Sequence, residues 1–229
     1  DGSLRLLWCS SGADSDWNIY AATRGDTGWN VEQLTTAKGT DSSLAADLGR
    51  DGRLWITWQS FRDGNGDIYA KCFVGGKWSH DIAVTSTESN EWQPAVSVDA
   101  SGAAWVVYDS YERGNYDVLL RRVDWNGRAA VADAIAIAAT PDFEAHASVL
   151  ADDAGRVWVA YDAAGPNWGK DFRNVPTIQE NGEYGEPLHA TRRLELRCVR
   201  NGRVYRPTDE LPQVLPPARL EAIDRVATS

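Results

Sequence analysis

The stretch DGRLWITWQS, residues 51–60, decides the fold. It opens on an Asp-Gly turn and then alternates toward an aromatic at Trp58, the pattern of a strand leaving a tight turn. Three other stretches read the same way: DGSLRLLWCS over 1–10, SGAAWVVYDS over 101–110 and AGRVWVAYDA over 154–163. Their closing aromatics, Trp8, Trp58, Tyr108 and Tyr161, stand 50, 50 and 53 residues apart. A period near 50 residues marks a repeat architecture.

The rest of each unit aligns around that strand. A polar loop follows the aromatic, then a second strand: NIYAATR from Asn18, DIYAKCF from Asp67 and DVLLRRV from Asp117. Next come a turn and a third strand, VEQLTT, HDIAVTS or AVADAIAIAAT. The unit closes on a strand of small residues: SSLAAD to Asp47, QPAVSVD to Asp99 and HASVLAD to Asp152. Four short alternating strands per unit, separated by turn residues, predict an all-β propeller of antiparallel blades. One such sheet cannot bury both faces, whereas radially stacked sheets bury each other. The repeated aromatics are expected between blades, and the small-residue strands near the axis. Helical periodicity is confined to RLEAIDRVATS at 219–229.

The units run 1–47, 48–99, 100–152 and 153–205, about four blades, followed by a Pro-rich linker or tail at 206–229. The fourth unit carries an insertion over 164–190. Three assemblies satisfy this count: a closed four-bladed ring, an arc of a longer chain, or two arcs forming one eight-bladed ring as a homodimer. An outer strand missing at the N-terminus is expected to be supplied by the C-terminus. The tail suits a linker to a missing C-terminal domain, or a segment packed across the blades.

Composition narrows the function classes. The chain has 229 residues, 23 Lys plus Arg and 33 Asp plus Glu, for a net charge of -10. That balance disfavours nucleic acid and anionic membrane surfaces. No apolar run is long enough to insert in a bilayer. There is no Met, so Asp1 is read as a processed or truncated start, with no leader segment remaining. Cys9, Cys72 and Cys198 are too few and too widely spaced for a disulfide framework or a zinc site. They read as buried apolar residues, or as one disulfide plus a free thiol.

The run GRLWITWQSFRDGNGDIYAKCF at 52–73, followed by EWQPAVSVD at 91–99, resembles the blades of bacterial exported propellers of the TolB-like and sialidase-like kind. GRVWVAYDAAGPNWGKDF at 155–172 with EPLHATRRLELRCVRNG at 186–202 resembles the closing part of propellers that precede a predicted metallophosphoesterase-like domain. The resemblance implies a periplasmic or extracellular binding or scaffold module, with a carbohydrate or protein ligand and no catalytic metal half. The sialidase Asp-box is matched only in part, by Asp26, Gly28 and Trp29. These residues read as a hairpin turn.

Candidate site residues fall into three groups. The loop after the aromatic strand repeats Asp and Asn, most fully as Asp63, Asn65 and Asp67. It reads as an Asx-turn, with a weak calcium site as the alternative. The sixth and twelfth positions of an EF-hand loop are Ile68 and Val74, so a full calcium loop is excluded. The loops entering the inner strands converge at one mouth of the ring. They bring Asp41, Gln93 and His146 as one aligned set, with Glu91 and Glu144 two residues earlier. Glu91, Glu144 and His146 are the candidates for ligand binding, or for acid–base work in a glycoside hydrolase or lyase. Trp92 and Phe143 beside them suit sugar stacking or packing between blades. In the insertion, Trp168 and Lys170 join an aromatic and a cation within a few residues. A sugar-binding lectin is the remaining functional class.

Overall fold

The computed structural model describes residues 3–11, 16–169, 186–187 and 191–206. The possible helix at 219–229, Lys170 and most of the insertion lie outside the described residues. Among the described residues, the elements are strands arranged in four principal antiparallel sheets. Among them, no helix is long and apolar enough to cross a membrane.

The first sheet is β1 (Arg5–Ser11), β2 (Trp17–Gly25) and β3 (Gly28–Gln33), in that order. The second runs β4 (Asp41–Leu48), β5 (Leu54–Ser60), β6 (Asp67–Val74), β7 (Lys77–Trp78), with β8 (Ile82–Ala83) also pairing β6. The third repeats this plan with β9 (Glu91–Val98), β10 (Ala104–Ser110), β11 (Asp117–Trp125), β12 (Ala129–Val131) and β13 (Ile135–Ala138). In the fourth, β14 (Phe143–Ala151) and β15 (Val157–Ala164) continue into β18 (Arg193–Arg200) and β19 (Arg203–Tyr205). Between β15 and β18, the described short strands β16 (Trp168–Gly169) and β17 (Glu186–Pro187) pair with each other in parallel.

The second, third and fourth sheets therefore each start at a small-residue strand. The first sheet has no described strand at that innermost position. Its unfilled position is the innermost one, not an outer one as the sequence suggested.

The inner hairpins follow from the turn residues. Gly52, Gly102 and Gly155 adopt φ of 82°, 82° and 73°, a region glycine enters without steric cost. A Cβ at Gly102 would in addition stand 2.2 Å from the Asp51 carboxylate. Asp99 and Asp152 tie their hairpins by accepting backbone N–H groups and the indole N–H of Trp105 and Trp158, both at 3.0 Å.

Inner strands β4, β9 and β14 lie side by side, with β9 in the middle. Asp47 accepts from Val98 N at 2.7 Å and Ser97 Oγ at 3.3 Å, and Ser97 Oγ accepts from Ala151 N at 3.0 Å. One side-chain relay thus ties three sheets at the axis.

Three apolar layers separate the four sheets. Ile19 and Ala21 meet Ile56 and Trp58; Trp55, Ile68 and Cys72 meet Val106 and Tyr108; Val118 and Leu120 meet Val159 and Tyr161. Of the repeated aromatics, Trp58, Tyr108 and Tyr161 sit in these layers as expected, while Trp8 is half-buried on the first sheet's other face; each large buried apolar side chain stabilises by about 1.5–3 kcal/mol. All three cysteines are free, and Cys72 and Cys198 are buried.

Candidate functional site

Register fixes which mouth residues are equivalent. Asp41 pairs Ser60, Glu91 pairs Ser110 and Glu144 pairs Ala163. Each inner strand then breaks register within its next few residues. The residues at these bulges are Ser43, Gln93 and His146, with φ of 51°, 47° and 57°. The true sets are therefore Asp41 with Glu91 and Glu144, and Ser43 with Gln93 and His146. The sequence alignment of Asp41 with Gln93 and His146 slipped by two, because it sets Asp47 against Asp99 and Asp152, whereas in the register Asp47 corresponds to Ser97 and the hairpin position of Asp99 holds Gly49.

The acidic set does not line the mouth. Glu91 is 0% and Glu144 4% exposed. Glu91 accepts from Thr87 Oγ1 at 2.8 Å, and Glu144 accepts from Thr140 N at 3.0 Å and Thr140 Oγ1 at 2.7 Å. Asp41 is likewise buried and accepts from the Trp58 indole at 3.1 Å and Arg62 at 3.4 Å. These carboxylates hold the entry loops, so the structure does not assemble Glu91, Glu144 and His146 on one surface.

The Asp/Asn loops complete the same fastening. The Asn65 amide donates to Thr87 O at 3.0 Å and Ser89 O at 2.5 Å; the Asn115 amide donates to Thr140 O at 2.6 Å and Asp142 O at 2.9 Å. Asp67 accepts from Thr85 Oγ1 at 2.9 Å, and Asp63 accepts from the Tyr69 hydroxyl at 3.2 Å. Asp63, Asn65 and Asp67 thus each serve a different partner. Among the described residues no three His, Cys, Asp or Glu side chains are grouped to share an ion. In the third sheet Ala138, two residues before Thr140, takes the place of Thr85, and Asp117 Oδ1 is left buried without a partner. Burial pushes the Asp117 carboxyl up to about 6, against the nearby Arg113.

What the bulges do bring to the mouth is His146. Its side chain is 40% exposed, and its Nδ1 lies 3.2 Å from Asp162 Oδ2. Arg192 Nε stands 3.5 Å from the same oxygen. The backbone N–H of His146 is held from below by Asp109, with Oδ1 and Oδ2 both at 3.0 Å. Asp109 is 2% exposed. Burial is the main cause that pushes its carboxyl up to about 7, and the negative charge of Asp162 adds to the rise.

An aromatic wall runs from this group across two sheets. Phe143 packs edge-on to His146 at 5.9 Å and meets Trp168 at 5.1 Å and Tyr116 at 5.3 Å. Tyr116 continues to Trp92 at 5.3 Å and to Tyr111 at 5.2 Å. Trp92, Phe143 and Trp168 were legible as candidates; Tyr111, Tyr116, Asp109, Asp162 and Arg192 were missed. Asp109 and Asp162 did carry a signal. Both directly follow the repeated aromatic, where Cys9 and Gln59 stand in the first two units. Gln93 is exposed at the mouth one residue beyond Trp92.

No family model matches the sequence, and no curated protein matches it either. Solved structures of similar fold do exist. A polysaccharide lyase of family PL25, an ulvan lyase, aligns with a TM-score of 0.55 at 12% identity over 90% of this chain and 55% of its own. A thermostable family-43 glycoside hydrolase aligns with a TM-score of 0.51 at 13% identity over 90% of this chain and 72% of its own. The fold is that of a β-propeller, here a partial one. The chain spans little more than half the length of the lyase, and identities this low carry the fold alone.

Proposed function

We propose that this propeller acts on a polysaccharide laid across its mouth and cleaves a glycosidic linkage by β-elimination, with His146 as the proton-transfer group. The observation that carries the reading is an exposed imidazole, aligned by Asp162 at 3.2 Å, at the end of an aromatic wall. With Nδ1–H donated to Asp162, Nε2 presents its lone pair outward, which is the arrangement of a general base. The half-buried Trp92, Tyr116 and Trp168, backed by the buried Phe143, offer aromatic faces for the apolar faces of sugar rings. Arg192, half exposed beside Asp162, supplies positive charge for a uronate carboxylate. In the reaction Nε2 takes the proton from the carbon next to that carboxylate. The electron pair forms a carbon–carbon double bond, the glycosidic C–O bond breaks, and the imidazolium returns the proton to the leaving oxygen. Two-carboxylate hydrolysis is less well served, because Glu91 and Glu144 are buried and engaged with their loops. The two carbohydrate-cleaving enzymes that share the fold support the carbohydrate class.

The test is incubation with a panel of uronate-containing and neutral polysaccharides. The expected result is growth of ultraviolet absorbance from unsaturated product, lost in His146→Gln and in Asp162→Asn. New reducing ends without that absorbance would replace elimination by hydrolysis. Binding without any cleavage would return the chain to a non-catalytic carbohydrate-binding module.

A further inference from the structure

We infer that Asp109 is the positioning residue of this site: it holds the backbone of His146 in its left-handed bulge and so aims the imidazole at Asp162. The inference rests on the reading of His146 as the working group. It starts from a comparison among the sheets. In two of the three adjoining pairs, the residue after the repeated aromatic sits beneath the bulge of the next inner strand. In the first pair Cys9 does so, its sulfur taking the N–H of Leu44, the residue after Ser43. In the third pair Asp109 does so, taking the N–H of His146 on both oxygens at 3.0 Å and that of Ala147 as well. The second pair has Gln59 at the corresponding position.

A neutral side chain, Cys9, therefore suffices to support a bulge. A carboxylate buried at 2% exposure beside a second carboxylate is a costly choice for that task. It occurs beneath the bulge whose side chain is a histidine. A charged acceptor makes the stronger hydrogen bond to a backbone N–H, and so restrains a non-glycine residue at φ 57° more tightly than a thiol does. The groups that face Asp109 are Asp162 on β15, Tyr116 in the loop before β11, and His146 itself; its own rise to about 7 makes the restraint weaken on acidification. A residue kept for stability loses stability when replaced. Asp109, held against its own ionisation, is expected to do the reverse.

The experiment compares wild type, Asp109→Asn and Asp109→Ala by melting temperature at pH 8 and by amide and imidazole NMR of His146. With three histidines in the chain, His146 is assigned by its loss in His146→Gln. The expected result is a melting temperature for Asp109→Asn no lower than wild type. The backbone amide of residue 146 should shift with pH around a midpoint near 7, in wild type and in His146→Gln, and this shift should vanish in Asp109→Asn. Where wild type cleaves polysaccharide, Asp109→Ala should lose activity roughly a hundredfold, the cost of a misplaced catalytic group. An amide that does not titrate, or a folded Asp109→Asn with unchanged amide and ring resonances, would overturn the inference. Wild type without turnover would sink the proposed reaction but leave the amide titration as the test of Asp109.

Discussion

Buried carboxylates of opposite kinds set the pH response. Asp109 and Asp117 are pushed up, to about 7 and about 6, chiefly by burial. Their folded forms hold protons that the unfolded chain has released. Their contribution is fully present below the ordinary Asp value and is lost as pH rises through 6 to 7. Asp81, held down by Lys71 and Arg62, and Asp99 and Asp152, held down by indole and backbone N–H groups, work the other way. Their contribution is present at neutral pH and is lost as pH falls through and below the ordinary carboxylate range. The melting temperature is therefore expected to peak at mildly acidic pH, roughly between 4.5 and 6. A pH series in one buffer of constant ionic strength would show it. A curve still rising from pH 6 to 8 would contradict the assignment of Asp109 and Asp117.

The working unit at the scale of elements is a strand pair plus the loop that enters the next sheet. Asn115 reaches across one such junction to two carbonyls of the loop that carries Glu144. Asn115→Ala leaves both carbonyls short of a donor and is expected to cost about 1–3 kcal/mol. Chemical denaturation would measure this, alongside slackened fluorescence of the nearby Trp168. Strand identity at this scale was legible because period-two alternation and Asp-Gly turns are local properties. Residue pairing at the mouth was not. Asp47 looks like the counterpart of Asp99 and Asp152, but that hairpin position holds Gly49 in the second sheet, so Asp41 falls against the wrong partners. Glu91 and Glu144 looked like mouth residues because acidic side chains in loops usually face water, whereas here Thr87 and Thr140 draw them inward. Asp162 and Arg192 meet only through the pairing of β15 with β18, which the insertion hides.

At the scale of the molecule, the four sheets stack in series, and among the described residues no sheet covers the outer face of the first or of the last. Ile19, Ile68, Val118 and Leu194 are equivalent by register, each paired with the residue after the repeated aromatic. The first three are fully buried by the following sheet, while Leu194 is 61% exposed. At the other end Leu6, equivalent to the buried Val106, is 49% exposed, and its row continues through Ala22 to Val31. Val118→Ala is thus expected to cost about 1–3 kcal/mol while Leu194→Ala changes stability by less than about 0.5 kcal/mol. Sedimentation over a concentration series should show self-association that Leu194→Glu and Val31→Glu each weaken. A monomer at every concentration would leave those faces for other sheets of the same repeat.

The bulged inner strands have one more consequence, for how such a molecule acquires new chemistry. Each bulge turns a single side chain outward, and beneath two of them a residue of the sheet before takes a backbone N–H. The mouth is thus a row of interchangeable sockets. Histidine at 93 with aspartate at 59 would transplant the pairing of His146 with Asp109 to a neighbouring blade by two substitutions, one at an outward side chain and one at a buried polar position. Diversification of ligand and reaction on this scaffold thus runs through paired positions, an outward residue and the buried one beneath it.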